Sequence, residues 1–486
     1  MGLLDEQSWQ GRVFTGGWVP AEGGDAAVIE PATGAELGRI GIGGAADIAR
    51  AAKVAAGAQR DWAALPYTER AAVLRRAGDL FTTHAEEITG WLVREVGSIP
   101  GKAQFEIGTA AQECYEAATL PSRPYGELLP SAEPRLSMAR RVPVGVVGVI
   151  APFNVPIILS IRSVAPALAL GNAVVLKPDP RTAVSGGVVL ARLFEEAGLP
   201  AGVLNVVPGG AETGEALVSD PQVQVISFTG STAAGRRVGE LAGRHLKRAL
   251  LELGGNSALI VLDDAELDRA VGLGSWGSFF HQGQICMTAG RHLVHESVYD
   301  EYVARLAQRA EGLPVGDPAT GQVALGPVID AHQRDKIHGL VTASVAAGAK
   351  VAAGGEYEGL FYRPTVLAGV TPAMPAYTEE IFGPVAPVTR FSSLDEAAEL
   401  AADNDYGLSL GIVTRDVMKG LALAERIPTG IVHINDQTVN DEAHVPFGGV
   451  RASGTGARFG GAAANVEAFT DTRWVTVRGD VPTYPI

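Results

Sequence analysis

The sequence predicts an α/β protein built on two largely parallel sheets, each covered by helices. Three observations carry that expectation. Beyond Arg141, short β-branched runs alternate with amphipathic segments of about ten to fifteen residues, the pattern of strands joined by crossover helices. The rhythm restarts after Gly254, which calls for a second sheet. The chain has 486 residues, and at roughly 100 to 200 residues per domain that is more than one core serves.

Taken in order, Ala45 to about Thr119 is rich in Ala, Leu, Glu and Arg at helical spacing, with breaks at Pro66 and around Gly97 to Pro100. A helical layer is expected there. Val142 to Ile161 is a stretch of twenty residues without formal charge, long enough to span a bilayer. Pro143, Pro152, Pro156 and Asn154 break it, so a buried strand, a loop and a second element fit better. Strands are expected over Val144–Ile150, Asn172–Leu176, Val203–Val207, Val223–Phe228 and Ala249–Glu252, forming a doubly wound, Rossmann-like sheet. A second α/β unit follows, with a strand over Ser257–Leu262, a helix from about Leu267 to Phe280, a strand near His292–His295 and a helix from about Val298 to Gly312. It ends near the Gly-rich segment Gly448–Gly461. Pro121–Pro143 and Phe469–Val477 stay outside both units, and their alternating character suggests strands able to pair with another subunit.

Composition narrows the function. The net charge is −15, with 54 acidic against 39 basic residues, and the basic ones are scattered apart from Arg140 and Arg141. A phosphate-tracking nucleic-acid surface is therefore not expected. Hydrophobic residues make up 47% and charged residues 19%, enough for a large core. Only Cys114 and Cys286 are present, which gives neither a disulfide framework nor a Cys-based zinc site and points to a reducing compartment. The acidic, polar N-terminus lacks a secretory pattern, so the expected location is the cytoplasm, without a membrane partner.

Five positions carry chemistry. Cys286 lies in FFHQGQICMTAGR, in a loop between Gly283 and Gly290, whereas Cys114 sits mid-helix in QECYEAA. A thiol beside apolar groups is ordinarily inert, which suits Cys114 better than Cys286. Glu252 ends a strand in LELGGN, where ligands approach a parallel sheet; it is a candidate general base, or else a helix cap or a partner of Lys247 or Arg248. Asn154, in APFNVP, either starts a turn or donates its amide to an oxyanion. Lys177 emerges at a strand end in VVLKPDPRT. In SFTGSTAAGRRVGE, Gly230 to Gly235 makes a phosphate-cradle candidate, with Ser231 able to cap a helix beginning near Thr232.

From about Pro31 to Val477 these segments together resemble the aldehyde dehydrogenase superfamily. The family's motifs are matched, in order, by PFN at Pro152–Asn154, Lys177, Gly230 with Ser231, LELGGN, GQIC at Gly283–Cys286, EEIFGP at Glu379–Pro384 and PFGG at Pro446–Gly449. The resemblance implies that Cys286 is the nucleophile, that Asn154 and the Cys286 N–H hold the oxyanion, and that Glu252 activates water against a thioester. It implies NAD or NADP as cofactor and no metal. Glu380 would hold the nicotinamide ribose, Phe382 would lie against the ring, and Lys177 and Ser231 would meet the adenosine side. Ile150, Pro152, Phe153, Asp179, Gly210, Gly214, Phe228, Gly230 and Leu253 complete the implied cofactor set. It further implies residues 1–123 and 142–252 as the dinucleotide-binding domain, 253–452 as the catalytic domain, 124–141 and 465–486 as oligomerisation segments, and a homodimer or homotetramer.

Two departures stand out. Pro180 occupies the place, three residues after Lys177, where NAD-preferring members often carry a glutamate, so NADP use is open and Asp179 is a possible substitute. Phe153 replaces a commoner Trp. HINDQTVNDEAHVPFGG and FTDTRWVTVRGD look most like the aromatic-aldehyde branch that oxidises benzaldehyde and vanillin. Phe280, Phe447, Val155, Leu159 and Ile285 could line an apolar tunnel, or belong to the core. Arg162, eight positions after Asn154, either steers a polar ring substituent or pairs with a carboxylate at a domain boundary. Rival readings are an aliphatic or semialdehyde substrate, acyl transfer to CoA, and a catalytically silent binding protein on the same fold.

Overall fold

A computed structural model describes residues 2–484; Met1, Pro485 and Ile486, at the outer ends of the segments 1–123 and 465–486, lie outside the described residues. Five parallel strands form the heart of the first sheet, in the order Arg248–Glu252, Val223–Thr229, Val146–Ile150, Ala173–Lys177, Leu204–Val206. Chain order reverses on either side of Val146–Ile150. That reversal leaves a crevice outside the carboxyl ends of the strands, where a ligand can enter a doubly wound sheet. All five strands match the sequence expectation to within two residues at each end. Lys177 proves to be the last residue of its strand.

An antiparallel hairpin, Arg12–Thr15 with Trp18–Pro20, extends this sheet at one edge and was not expected from the sequence. Its strands have four and three residues, too short for alternation to register. The helical layer comprises Ala45–Ala64, Tyr67–Thr83, Ala85–Val96 and Pro100–Ala117, broken at Pro66 and Gly97 as read, and also at His84. Buried side chains tie the layer down. The Trp62 indole donates to the Leu168 carbonyl at 2.8 Å, and Arg70 donates to the carbonyls of Ala63, Leu65 and Ala169, supplying donors that the helix ends lack.

The uncharged stretch 142–161 divides into the end of one strand, the strand Val146–Ile150, a turn and the helix Pro156–Ala169. Among the described residues no helix is long and apolar enough to cross a membrane. The second sheet runs Lys350–Ala353, Thr365–Ala368, Val385–Phe391, Ala289–His295, Ser257–Val261, Ser409–Val413, Ile431–Ile434, parallel except for the first strand. Separate apolar clusters cover the faces of the two sheets. A small fifth cluster surrounds Cys286.

The segments left outside both units form a three-stranded antiparallel arm, with Leu136–Pro143 between Gly126–Leu128 and Thr470–Val477. They pair first with one another, Thr470 opposite Pro143 and Val477 opposite Leu136. The outer edges stay open, and Trp474 and Leu128 are 64% and 75% exposed.

Candidate active site

The loop before Cys286 is wound against the usual hand. His281, Gln282 and Gly283 have φ of 50°, 56° and 65°, so two residues with side chains occupy the left-handed region, at a cost of about 1–3 kcal/mol each. The surroundings hold them there. The Gln282 amide donates to the carbonyls of Gly97 and Pro327 at 3.0 and 2.8 Å, and Gln284 accepts from the Ile329 N–H at 3.0 Å. At Gly283 a Cβ would stand 2.1 Å from the Gly383 carbonyl oxygen, so no side chain fits. The loop delivers Cys286 to the floor of a cavity of about 700 Å³ between the two sheets. Burial pushes the thiol up to about 12; the carboxylates of Glu380 and Glu252 add to this and Arg162 opposes it.

Every residue expected at the dinucleotide lines this cavity: Ile150, Pro152, Phe153, Lys177, Asp179, Gly210, Gly214, Phe228, Gly230, Ser231, Leu253, Glu380 and Phe382. Asn154, Leu159 and Cys286 line it too. The Ser231 hydroxyl accepts from the Ala234 N–H and caps the helix Thr232–Arg244, which turns the positive end of that helix to the cavity. Lys177 is buried, which lowers it to about 8 against the pull of Asp179, and its ammonium donates to the Gly209 and Pro178 carbonyls. Glu380 is raised to about 7 by burial and accepts from the Gly255 N–H at 3.0 Å. The glycines after Glu252 admit these neighbours: a Cβ on Gly254 would meet Glu380, and one on Gly255 would meet the Cys286 carbonyl, each at 2.3 Å.

Glu252 ends its strand with both carboxylate oxygens buried, without a side-chain partner and with the Gly449 N–H nearby. Burial raises its pKa well above 4.5, with Arg162 and Arg458 opposing. It neither caps a helix nor pairs with its neighbours in sequence, since Lys247 donates to the Asp220 carbonyl and Arg248 pairs with Asp471. A buried carboxyl that titrates high is suited to exchanging protons near neutral pH. Asn154 donates from Nδ2 to the Gln284 carbonyl at 2.8 Å, which sets its amide beside the Cys286 loop and leaves one N–H of its two free of that bond.

Around Cys286, Ile285, Met287, Leu408 and Phe447 pack together, with Phe280, Ile431 and Val439 against them. Phe280 also stacks on Trp276, with ring centres 4.3 Å apart. Val155 is half-buried at the start of the helix Pro156–Ala169 and does not line the cavity. Arg162 is found in the ion pairs of the second reading. The buried guanidinium pairs with Asp441 and, at 3.5 Å, with Glu113, and lies 4.7 Å above the Phe447 ring. Burial raises Glu113 to about 7. Asp179, the suggested substitute for a ribose-binding glutamate, is committed elsewhere: Arg181 holds it at 2.8 and 2.9 Å, pairs with Asp330 and covers the Phe153 ring at 4.2 Å.

The sequence reading missed Arg181, Glu113, Asp441 and the buried pair Lys102 and Glu106. Only Arg181 carried a local signal, as a cation four residues after Lys177. The others reach the site from distant segments. Among the described residues no group of three or more His, Cys, Asp or Glu is arranged to hold a metal ion.

The aldehyde dehydrogenase family profile matches residues 18–475. The chain is 75% identical to a vanillin dehydrogenase of an Amycolatopsis species over 485 residues, 100% of each chain. It is 51% identical to an NAD(+) benzaldehyde dehydrogenase of Pseudomonas putida, over 99% of each. Its fold superposes on the crystal structure of a salicylaldehyde dehydrogenase from Pseudomonas putida, complexed with salicylaldehyde, with a TM-score of 0.94 and 36% identity, covering 98% of this chain and 99% of that one. A profile match over nearly the whole chain and relatives of this similarity mean that the chain belongs to the aldehyde dehydrogenase family.

Proposed function

We propose that this enzyme oxidises aromatic aldehydes of the benzaldehyde and vanillin type to free carboxylic acids, with NAD or NADP as acceptor. One observation carries the reading: a thiol and an amide donor line a long cleft beside an apolar cluster, with a buried carboxyl close enough to the thiol to raise it. The names of the relatives agree with it.

The residues divide the work. The Cys286 thiol releases its proton to water, and its sulfur attacks the aldehyde carbon as the thiolate. A C–S bond forms as the carbonyl π pair moves to oxygen, and that charge is met by the second N–H of Asn154 and the Cys286 N–H. When bound, the nicotinamide supplies the acceptor for the hydride that leaves the thiohemiacetal carbon. Lys177, Ser231 and the helix beginning at Thr232 suit its adenosine and phosphate portions, and Glu380 suits a ribose diol. Glu252 then takes a proton from water, whose oxygen attacks the thioester; the C–S bond breaks, acid leaves and the thiolate is restored. The apolar wall of Phe447, Ile285 and Met287 favours a flat ring over a charged aldehyde. Two free cysteines support a reducing, cytoplasmic setting, and the open arm supports a homo-oligomer.

Initial rates with benzaldehyde, vanillin, 4-hydroxybenzaldehyde, succinic semialdehyde and hexanal, each with NAD and NADP, test the reading. The aromatic aldehydes are expected to give the higher kcat/KM, with free acid as product even when CoA is present. Higher values for hexanal or succinic semialdehyde, or acyl-CoA as product, would overturn it.

A further inference from the structure

The helix Pro100–Ala117 carries a lysine and a glutamate one turn apart, Lys102 and Glu106, both almost completely buried and paired with each other. An ion pair of this kind is expensive to desolvate, and apolar residues of similar volume often stabilise a core as well. Its contacts suggest a purpose other than stability. The Lys102 ammonium donates to the backbone carbonyl of Asn154 at 3.0 Å, and Glu106 Oε1 accepts from the Ile157 N–H at 2.8 Å. The pair thus holds both sides of the turn that carries Asn154.

The start of the helix after that turn has no cap of its own. The helix Pro156–Ala169 has Val155 at its cap position, without a side-chain acceptor, so the Ile157 N–H is an orphan donor that Glu106 satisfies from another helix. The side chain of Asn154 is fixed at its other end by the Gln284 carbonyl. A donor clamped at backbone and amide keeps its free N–H in one direction, which is what a pre-formed oxyanion site needs.

We propose that Lys102 and Glu106 are positioning residues for the oxyanion donor, holding Asn154 at the angle at which its amide meets the developing charge. The inference rests on the role proposed above for Asn154. It predicts that Lys102 acts on the first chemical step only through Asn154.

The test is a double-mutant cycle read by the rate of the pre-steady-state burst of reduced cofactor with benzaldehyde, using the full chain. Asn154→Ala is expected to slow the burst about 100-fold. Lys102→Met is expected to slow it at least about tenfold, because a small misplacement of a catalytic group is costly. In the Asn154→Ala background, Lys102→Met should change the rate less than about threefold. Alkylation of Cys286 by iodoacetamide in Lys102→Met should keep its wild-type rate. Equal slowing in both backgrounds, no slowing at all, or an equal fall in alkylation would overturn the proposal. A normal burst in Asn154→Ala would instead sink the role of Asn154 itself. If Lys102→Met does not fold, Glu106→Gln, which retains an oxygen for the Ile157 N–H, takes its place in the same cycle with the same criteria.

Discussion

A cysteine whose thiol is pushed up to about 12 is neutral in the free enzyme at pH 7, because a raised pKa keeps the proton on sulfur below it. Alkylation of the free enzyme by iodoacetamide should therefore rise about tenfold per pH unit from 7 to 9, following the thiolate fraction. A plateau below pH 8 would contradict this. Glu252 is expected to matter after hydride transfer: Glu252→Gln should give a burst of reduced cofactor close to one per site and then stall, measured by rapid mixing. Loss of the burst itself would place Glu252 earlier. Arg162→Leu leaves Asp441 and Glu113 without their cation, and breaking a buried pair costs about 3–5 kcal/mol. The loss should fall at the low end, since Glu113 titrates at about 7 and can take up a proton. The kcat/KM ratio of 4-hydroxybenzaldehyde to benzaldehyde should shift with it, and an unchanged ratio would confine Arg162 to structure. Cys286, Glu252 and Asn154 were legible in the sequence because each stands at a strand or helix boundary flanked by Gly or Pro. Lys102 and Asp441 were not, because they meet their partners across 52 and 279 residues of chain.

Among the elements, the turn after the strand Ala173–Lys177 is where a test of cofactor choice belongs. Pro180 offers no acid to repel a 2′-phosphate, and the charge on Asp179 is neutralised by Arg181. NAD and NADP should accordingly both be reduced, with kcat/KM within about tenfold, since no buried charge separates them. Pro180→Glu should raise the NAD to NADP ratio of kcat/KM at least about tenfold by restoring the repulsion. An unchanged ratio would show that the cofactor passes elsewhere. Strands and helices with several turns of clear periodicity could be read from the sequence, such as Val146–Ile150 and Leu267–Phe279. The hairpin at Arg12–Pro20 could not, nor could the reversed turn 281–283, because both depend on contacts made elsewhere in the fold.

For the molecule as a whole, the arm has two unsatisfied edges and an exposed Trp474, and unpaired edges of this kind tend to be covered. Light scattering of the purified protein should give at least twice the chain mass, and Trp474→Asp should lower it; a monomeric wild type would refute this. The same arm has a consequence for the order in which the protein is made. The strand Thr470–Val477 comes from the far end of the chain, yet it completes the sheet beside the first domain. Asn172 donates to the Phe469 carbonyl and Arg248 holds Asp471, so the first domain also takes side-chain partners from that end. Domains emerging from the ribosome generally fold from the N-terminus onward. A nascent chain interrupted near residue 460 would therefore lack the strand Thr470–Val477 and the partners that Phe469 and Asp471 give Asn172 and Arg248 of the first domain.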